Sequence, residues 1–590
     1  MAKKTFDAGL FKDIQSRCTE LEQNNSQRIT MCNEIEKMFL MEWDDEKPDI
    51  TGKDWIKLTI SPEARNKANG AIRLMTATDP KFSVPFDKNS QEGKESSSLI
   101  EKAAAAMWNM SGRIRQNPVH YDAVTSAVLF GEMHIGVNST ADLLEHAKGG
   151  SKASIMRFEK IAELTPYMFE VYDPRTGFPE FDNYGLSSYY RKVKMKSGAV
   201  LDTWGELAIT AGVSKDRRNE EIDYCDYWDN EYHMVWIIGK GVPILFAEHN
   251  LPCIPIVAQT TDGSSIHEKE ENKRQPFLYN LWKSGLWKRQ NLSLTVIYSI
   301  MFALASNPTF IEKVTSEDRE LKADYSVPGG KIKMLVNEDF HALAKNIIDP
   351  SIQQGMDIAQ KLIDESTIYG QTLGEPLGSS APFSMVALLN QAGRLPLVTI
   401  QRRGSWAIAK AVELAFTMMK DKGGKNKIKD ASKLMELSGK DIPDNLIIDA
   451  KLDIELPQDK RGQMQVALQG VQAKLFSKEY ARREISIEQS DEMTEEIWAE
   501  DLADLEMQKE YQTQLAKVQQ EIQAAAQQQA MQMQGQNPAL MGGQPQGQTP
   551  QGLPPELMQQ TQGGGMPPEM AGQGASENMP MTEPIMPEGV

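Results

Sequence analysis

Apolar residues recur every three or four positions at Leu10, Ile14, Cys18 and Leu21, and again at Ile29, Cys32, Ile35, Met38 and Phe39. Residues 8–41 therefore read as a helix. Ser61 before Pro62 is an N-cap followed by the residue favoured at the first helical position. It opens a helical pattern that ends at Asp79-Pro80, with a strand over 81–85. Helices are predicted over 97–112 and 117–131, the second closing at Phe130-Gly131 before the strand-like EMHIGVNST. From 154 to 260 the pattern becomes β-rich. Asp173-Pro174 and Thr176-Gly177 are turn signals, SYYRKVKMK alternates, and two or three hairpin strands surround Gly239-Lys240-Gly241. The first 260 residues read as an α+β domain.

A different pattern begins at Pro276. Leu278, Trp282, Leu286, Leu292, Val296, Ile300 and Leu304 mark one stripe of a long helix that Asn307-Pro308 stops. Thirty residues would make a rod of roughly 45 Å. Trp282 and Trp287 fall on different faces of such a helix, one towards the core and one towards an inter-subunit seam. TFIEKV, ADYSV and KIKMLV follow as short strand candidates with a Pro328-Gly329-Gly330 turn. Asp349-Pro350 caps a second helix, 351–369, ending at Gly370. The segment 371–383, QTLGEPLGSSAPF, is too rich in Gly, Ser and Pro for a helix. A long helix then runs from Ser384 to about Lys420, kinked at Pro396 and loosened at Gly404. Ala450, Leu452, Ile454 and Leu456 alternate with charged residues as a half-buried strand. Helices are predicted near 459–475, 478–484 and 490–532. From Met531 the chain has no Lys, Arg or aromatic residue, and it reads as a disordered Gln/Gly/Pro/Met tail.

Composition narrows the class. The chain has 590 residues, room for several subdomains, and its mean hydropathy of −0.46 fits a soluble protein. No run of about 18 apolar residues occurs, and MAKKTFDAGLFKDIQSR lacks a secretory apolar core; synthesis inside the cell and no membrane partner are expected. Cys18, Cys32, Cys225 and Cys253 form no CxxC pair, which argues against disulfides and a zinc site. Sixty-four Lys plus Arg against 82 Asp plus Glu give a net charge of −18. A tight DNA grip needs a basic surface, so any nucleic acid is met without strong overall attraction.

Catalytic chemistry is hard to find. GxxxxGK[ST], GxSxG, HExxH and GxGxxG are all absent, and no cofactor is implied. Asp173, Asp182 and Glu180 could serve a metal-dependent nuclease, but turn chemistry and solvated faces explain them as well. Lys283, Lys288, Arg289, Lys322, Lys331 and Lys333 lie on the helix–insert–helix unit. They read either as ordinary surface or as contacts to nucleic acid or a partner ring.

The order of these segments resembles the portal proteins of tailed double-stranded DNA phages. EHNLPCIPIV is similar to the strand closing the family's wing, and helix 276–306, insert 307–349 and helix 351–369 resemble its stem–clip–stem unit. LGEPLGSSAPFSMVALLNQAG is similar to the tunnel loop and the helix behind it, and IELPQDKRGQMQVALQGV to the strand leading into the crown. YDAVTSAVLFGEMHIGV and VYDPRTGFPEFDN resemble wing segments.

The resemblance implies an α+β, mainly helical portal fold. Its parts would be a wing (1–275), a first stem helix (276–306), a clip (307–349), a second stem helix (350–370), a tunnel loop (371–383), a wing helix and strand (384–456), a crown (457–530) and a tail (531–590). It implies a homo-oligomeric ring, a dodecamer, at one capsid vertex of the virion, assembled in the host cytoplasm. Double-stranded DNA would pass through it during packaging and ejection. Its implied partners are the terminase large subunit, the major capsid protein, scaffold protein and head-completion or tail adaptor proteins. Portal proteins do not hydrolyse ATP, so the chain is expected not to be an enzyme.

The tunnel loop implied is Gly374, Glu375, Pro376, Leu377, Gly378, Ser379, Ser380, Ala381, Pro382 and Phe383. It holds no Lys or Arg between Gln371 and Met385, so contact there would be by shape, through Leu377 or Phe383. The competing readings are a metal-dependent DNA-processing enzyme and another virion ring such as a tail adaptor.

Overall fold

The computed structural model describes residues 7–43, 58–85, 91–264, 266–306, 310–314, 331–335, 350–367, 383–430, 433–452, 467–473, 475 and 490–534. The chain divides into two units, 1–477 and 478–590. The first is α+β.

The predicted helix 8–41 is two, α1 (Ala8–Asn24) and α2 (Ser26–Leu40). The break is at Asn25, whose side chain is committed elsewhere: Nδ2 donates to Leu21 O (2.9 Å) and Oδ1 accepts from Arg28 Nε (2.9 Å). Helix α3 (Glu63–Met75) starts at Pro62, and Ser61 Oγ accepts from Glu63 N at 3.3 Å. Strand β1 (Lys81–Ser83) follows, then α4 (Gln91–Arg115) and α5 (Val119–Phe130). Nine of the twelve residues of α5 are buried, so this helix is core on nearly every side.

Gly131 ends α5 with φ +73°, and an added Cβ there would lie 2.8 Å from the Gln275 carbonyl carbon. Both facts demand glycine. Strand β2 (Glu132–Ser139) then enters a three-stranded sheet of order β3-β2-β9, where β3 is Tyr167–Tyr172 and β9 is Ile256–Thr260.

The stretch 154–260 is less purely β than its sequence suggests. It contains α7 (Lys152–Leu164), which follows α6 (Thr140–His146), and α8 (Ser197–Thr210). Between and after them lies an antiparallel meander of β4 (Gly177–Phe181), β5 (Leu186–Lys196), β6 (Glu221–Asp229), β7 (Tyr232–Ile237) and β8 (Leu245–Glu248). Alternation decides what covers each face. Tyr224, Val235 and Ile237 pack with Val200, Leu201 and Trp204 of α8. Cys225, Tyr227, Met234 and Trp236 pack with Phe11, Ile14 and Cys18 of α1.

One buried ion cluster ties these parts together. Glu132, 1% exposed, meets Arg28 (2.9 Å), His134 (3.0 Å) and the Arg274 guanidinium. Arg28 also donates to Pro174 O (3.0 Å) and Gly177 O (2.9 Å), fixing α2 to the turn before β4. Burial opposes ionisation of Glu132, but the Arg274 and Arg28 guanidiniums outweigh it and hold its carboxyl at about 2.

The remaining elements are α9 (Glu270–Lys273), α10 (Tyr279–Ser284), α11 (Leu286–Ser306), β10 (Phe310–Val314), β11 (Lys331–Leu335), α12 (Pro350–Ser366) and α13 (Phe383–Lys422). The antiparallel pair β12 (Lys425–Asp430) and β13 (Lys433–Ser438) follows, and β14 (Asp449–Lys451) pairs with β1. The predicted strand over 450–456 is seen only as β14, since 453–456 lie outside the described residues.

Helix α13 runs through Pro396 and Gly404 without a break in assignment. Gly404 serves packing: a Cβ there would lie 2.7 Å from Met133 Cε of β2. In the second unit, Ser490–Gln534 is one helix of 45 residues.

Candidate assembly face and channel elements

The predicted rod 276–306 is broken. Gly285 (φ +67°) caps α10 in the left-handed conformation, its N–H donating to Trp282 O at 3.2 Å, and α11 starts afresh at Leu286. The break removes the five-residue argument about the tryptophans. Trp287 is buried in the main core, and Trp282 also packs against that core while its Nε1 donates to Glu34.

Beyond Trp287, α11 is turned inside out. The face packed on its own chain is polar: Gln290, Asn291, Thr295 and Ser299 are all buried. Each bond that is seen is specific. Asn291 Oδ1 accepts from Ser61 N (2.8 Å), Thr295 Oγ1 accepts from Thr59 N (3.1 Å), and Gln290 Nε2 donates to Glu63 Oε2 (2.7 Å). The outward face is apolar, with Leu292 44%, Val296 41%, Tyr298 53% and Met301 50% exposed. The predicted stripe through Leu292 and Val296 therefore faces away from the chain's own core.

Helix α12, which packs on α11, repeats the theme with Ile358 and Leu362 exposed one turn apart. Leu395, Val398 and Trp406 of α13 are exposed as well. Full burial of such a side chain is worth about 1.5–3 kcal/mol, and each of these, being about half exposed, forgoes roughly half of it.

Between α11 and α12 the insert contains β10 and β11, paired parallel rather than as a hairpin, with Phe310 opposite Lys331 and Glu312 opposite Lys333. ADYSV, the Pro328-Gly329-Gly330 turn and Lys322 lie outside the described residues. Lys331 and Lys333 both belong to β11.

The other three basic residues lie on α10 and the first turn of α11. Lys283 is exposed at the end of α10 with its ammonium 5.3 Å from the Trp282 ring centroid, Lys288 lines a small hollow with Glu34 and Glu42, and Arg289 is exposed. Of the tunnel-loop residues, Gly374 to Pro382 lie outside the described residues, while Phe383 is the first residue of α13.

The carboxylates of the nuclease reading serve separate local tasks. Asp173 accepts from Arg175 N (2.9 Å) and pairs with its guanidinium (2.8 Å). Glu180 pairs with Arg17 (2.5 Å) and accepts from Ser188 Oγ (2.8 Å). Asp182 accepts from the Tyr184 and Gly185 amides at 2.7 and 2.8 Å, closing the β4–β5 turn. Among the described residues no three His, Cys, Asp or Glu converge on a metal-sized centre.

Sequence reasoning missed a cleft of about 600 Å³ between the two sheets and α6, α7 and α8. His146, His233 and His249 line it from three elements. The His233 ring stacks on Trp228 at 3.6 Å and faces Asp226 at 3.1 Å through Nε2; His249 Nε2 donates to Asp229 O (2.7 Å). Burial, helped by repulsion from His233, pushes the His146 imidazole down to about 4. These histidines are far apart in sequence, so no spacing could have flagged them.

No family model matches this chain, and no curated protein matches it. Among solved structures, a chain in the neck of an empty GTA particle, computed with C6 symmetry, is similar at a TM-score of 0.35. The identity is 11% over 75% of this chain and 94% of that chain. At that TM-score the likeness decides neither fold nor function. No helix among the described residues is long and apolar enough to cross a membrane.

Proposed function

We propose that this chain is the subunit of a portal-type ring, a dodecamer at one capsid vertex of a virion, through which double-stranded DNA is packaged and ejected. The observation that carries the reading is the inverted helix α11. Its own chain takes the polar face, so the apolar face is left for another molecule, and Ile358 and Leu362 extend the demand onto α12. A second copy is the economical partner. A head-to-tail contact repeated by rotation closes into a ring, and helices lining it make a wall.

On this reading α11 and α12 are the stem, and the β10–β11 module between them is the clip. The clip is the docking point for the terminase large subunit and later for head-completion or tail adaptor proteins. The α+β part of residues 1–275 is the wing, which meets the major capsid protein, with scaffold protein assisting assembly. The subunit carries out no catalysis, and its net charge of −18 suits a bore that must not hold phosphates.

Electron microscopy of the purified full chain tests this directly. Class averages down the axis are expected to show a ring with an open centre. A monomer at every protein and salt concentration would sink the proposal. Incubation with duplex DNA and Mg²⁺ or Mn²⁺ is expected to give no cleavage; digestion lost in Asp173→Ala would instead favour the nuclease.

A further inference from the structure

The way α11 and α12 are fastened to their own chain carries a second inference. Residues 58–61 are extended and alternate: Leu58 and Ile60 pack against the main core, while Thr59 and Ser61 meet α11. Thr295 Oγ1 bonds both the Thr59 amide (3.1 Å) and its carbonyl (3.3 Å), and Asn291 takes the Ser61 amide (2.8 Å). At the first residue of α3, the Glu63 carboxylate accepts from Gln290 of α11 (2.7 Å) and from Gln360 of α12. Lys67 then reaches Asp364 of α12 at 2.5 Å. Among the described side chains of α11 and α12, Trp287 and Ile363 are the ones buried in the main core, with Leu286 packed against it.

We propose that Thr59, Ser61, Glu63 and Lys67 form a polar latch from which the α11–α12 pair releases as a unit, pivoting at Gly285 and its Trp287–Ile363 base, while the body stays folded. Three features argue for release rather than permanent packing. Hydrogen bonds along the latch can be exchanged for bonds to water at small net cost, unlike buried apolar area. Gly285 takes a left-handed backbone (φ +67°) that already separates α10 from α11, which marks where the chain can turn. The opposite face of α11 is apolar, so its stronger attachment lies on the far side. The latch bonds are contained in one chain, and only the third feature rests on the proposed ring.

Paired spin labels at Arg73→Cys on α3 and Lys361→Cys on α12 measure the opening, in full-length chain diluted with unlabelled chain. Two distances are expected, the longer one gaining severalfold in share when Asp364→Asn and Asn291→Ala are added. In parallel, amides of Thr59 and Ser61 are expected to exchange with deuterium at least tenfold faster than those of α5, and tenfold faster again in Asn291→Ala with α5 unchanged. A single distance that the latch variants leave in place would overturn the proposal. So would Thr59 and Ser61 amides that exchange only together with those of α5. Sedimentation of the same samples reports oligomeric state separately.

Discussion

At the scale of single residues, the Glu132 cluster decides acid stability. Its carboxyl titrates at about 2 in the folded chain against an ordinary value of 4.5. The folded value is the lower one, so the stabilisation is complete above pH 4.5 and is lost as pH falls towards 2. It amounts to something on the order of 3 kcal/mol. His134 and His146 act in the same sense, since burial lowers both and acid must charge them. Thermal melting from pH 7 to pH 3 is expected to show the midpoint falling steeply below pH 4.5. Glu132→Gln should flatten that acid limb while costing about 3–5 kcal/mol at pH 7, because it leaves the buried Arg28 guanidinium without its counter-charge, while Arg274 keeps Glu270. Gly131→Ala should cost at least about 1–3 kcal/mol from its left-handed backbone alone, read by urea unfolding. Little of this was legible beforehand. Gly131 stood out as a helix stop, but the partners of Glu132 come from α2, β2 and the residue after α9. A sequence shows such residues only as scattered charges.

Elements were legible where periodicity and burial agree, and were misread where they part. α5 and β2 sit where their apolar patterns put them, because both are buried in the main core. α11 has an equally good apolar stripe, yet that stripe points outward. Periodicity reports that one face of a helix is apolar, not which molecule will cover it. The break at Gly285 was hidden for a related reason: the stripe continues across it, and only the left-handed backbone reveals the stop. A prediction at this scale separates assembly from folding. Val296→Asp with Leu292→Asp puts charge on the outward face and disturbs no bond of the inward one. The double variant is expected to run as a monomer or small oligomer in sedimentation, with its melting temperature within a few degrees of the parent. Asn291→Ala, on the inward face, should instead leave the oligomer in place and loosen the latch locally by about 1–3 kcal/mol, because it leaves the buried Ser61 amide unpaired. If both variants lost the oligomer equally, the outward face would not be the assembly face.

For the whole molecule, the proposed ring and the proposed DNA path draw on different segments. On that reading assembly draws on α11 and α12, whose exposed side chains include Leu292, Val296, Ile358 and Leu362. The segment 374–382 that follows α12 holds one charged residue, Glu375, no Lys or Arg, and no helical pattern. Its Gly, Ser and Pro content was legible, as was its place between two helices. A bore role for it is implied only by the resemblance, since contact by shape leaves no charge signature in a sequence. Deleting 375–382 therefore separates the two roles. The expected result is a particle of parental size by electron microscopy and sedimentation, and a loss of DNA packaged or retained when the variant is built into heads. Described core contacts on either side of the deletion are Ile363 of α12 and Leu397 and Ile400 of α13. Loss of the oligomer on deletion would place the loop in the wall rather than the bore. Normal DNA retention with an intact ring would remove the loop from the transport path altogether.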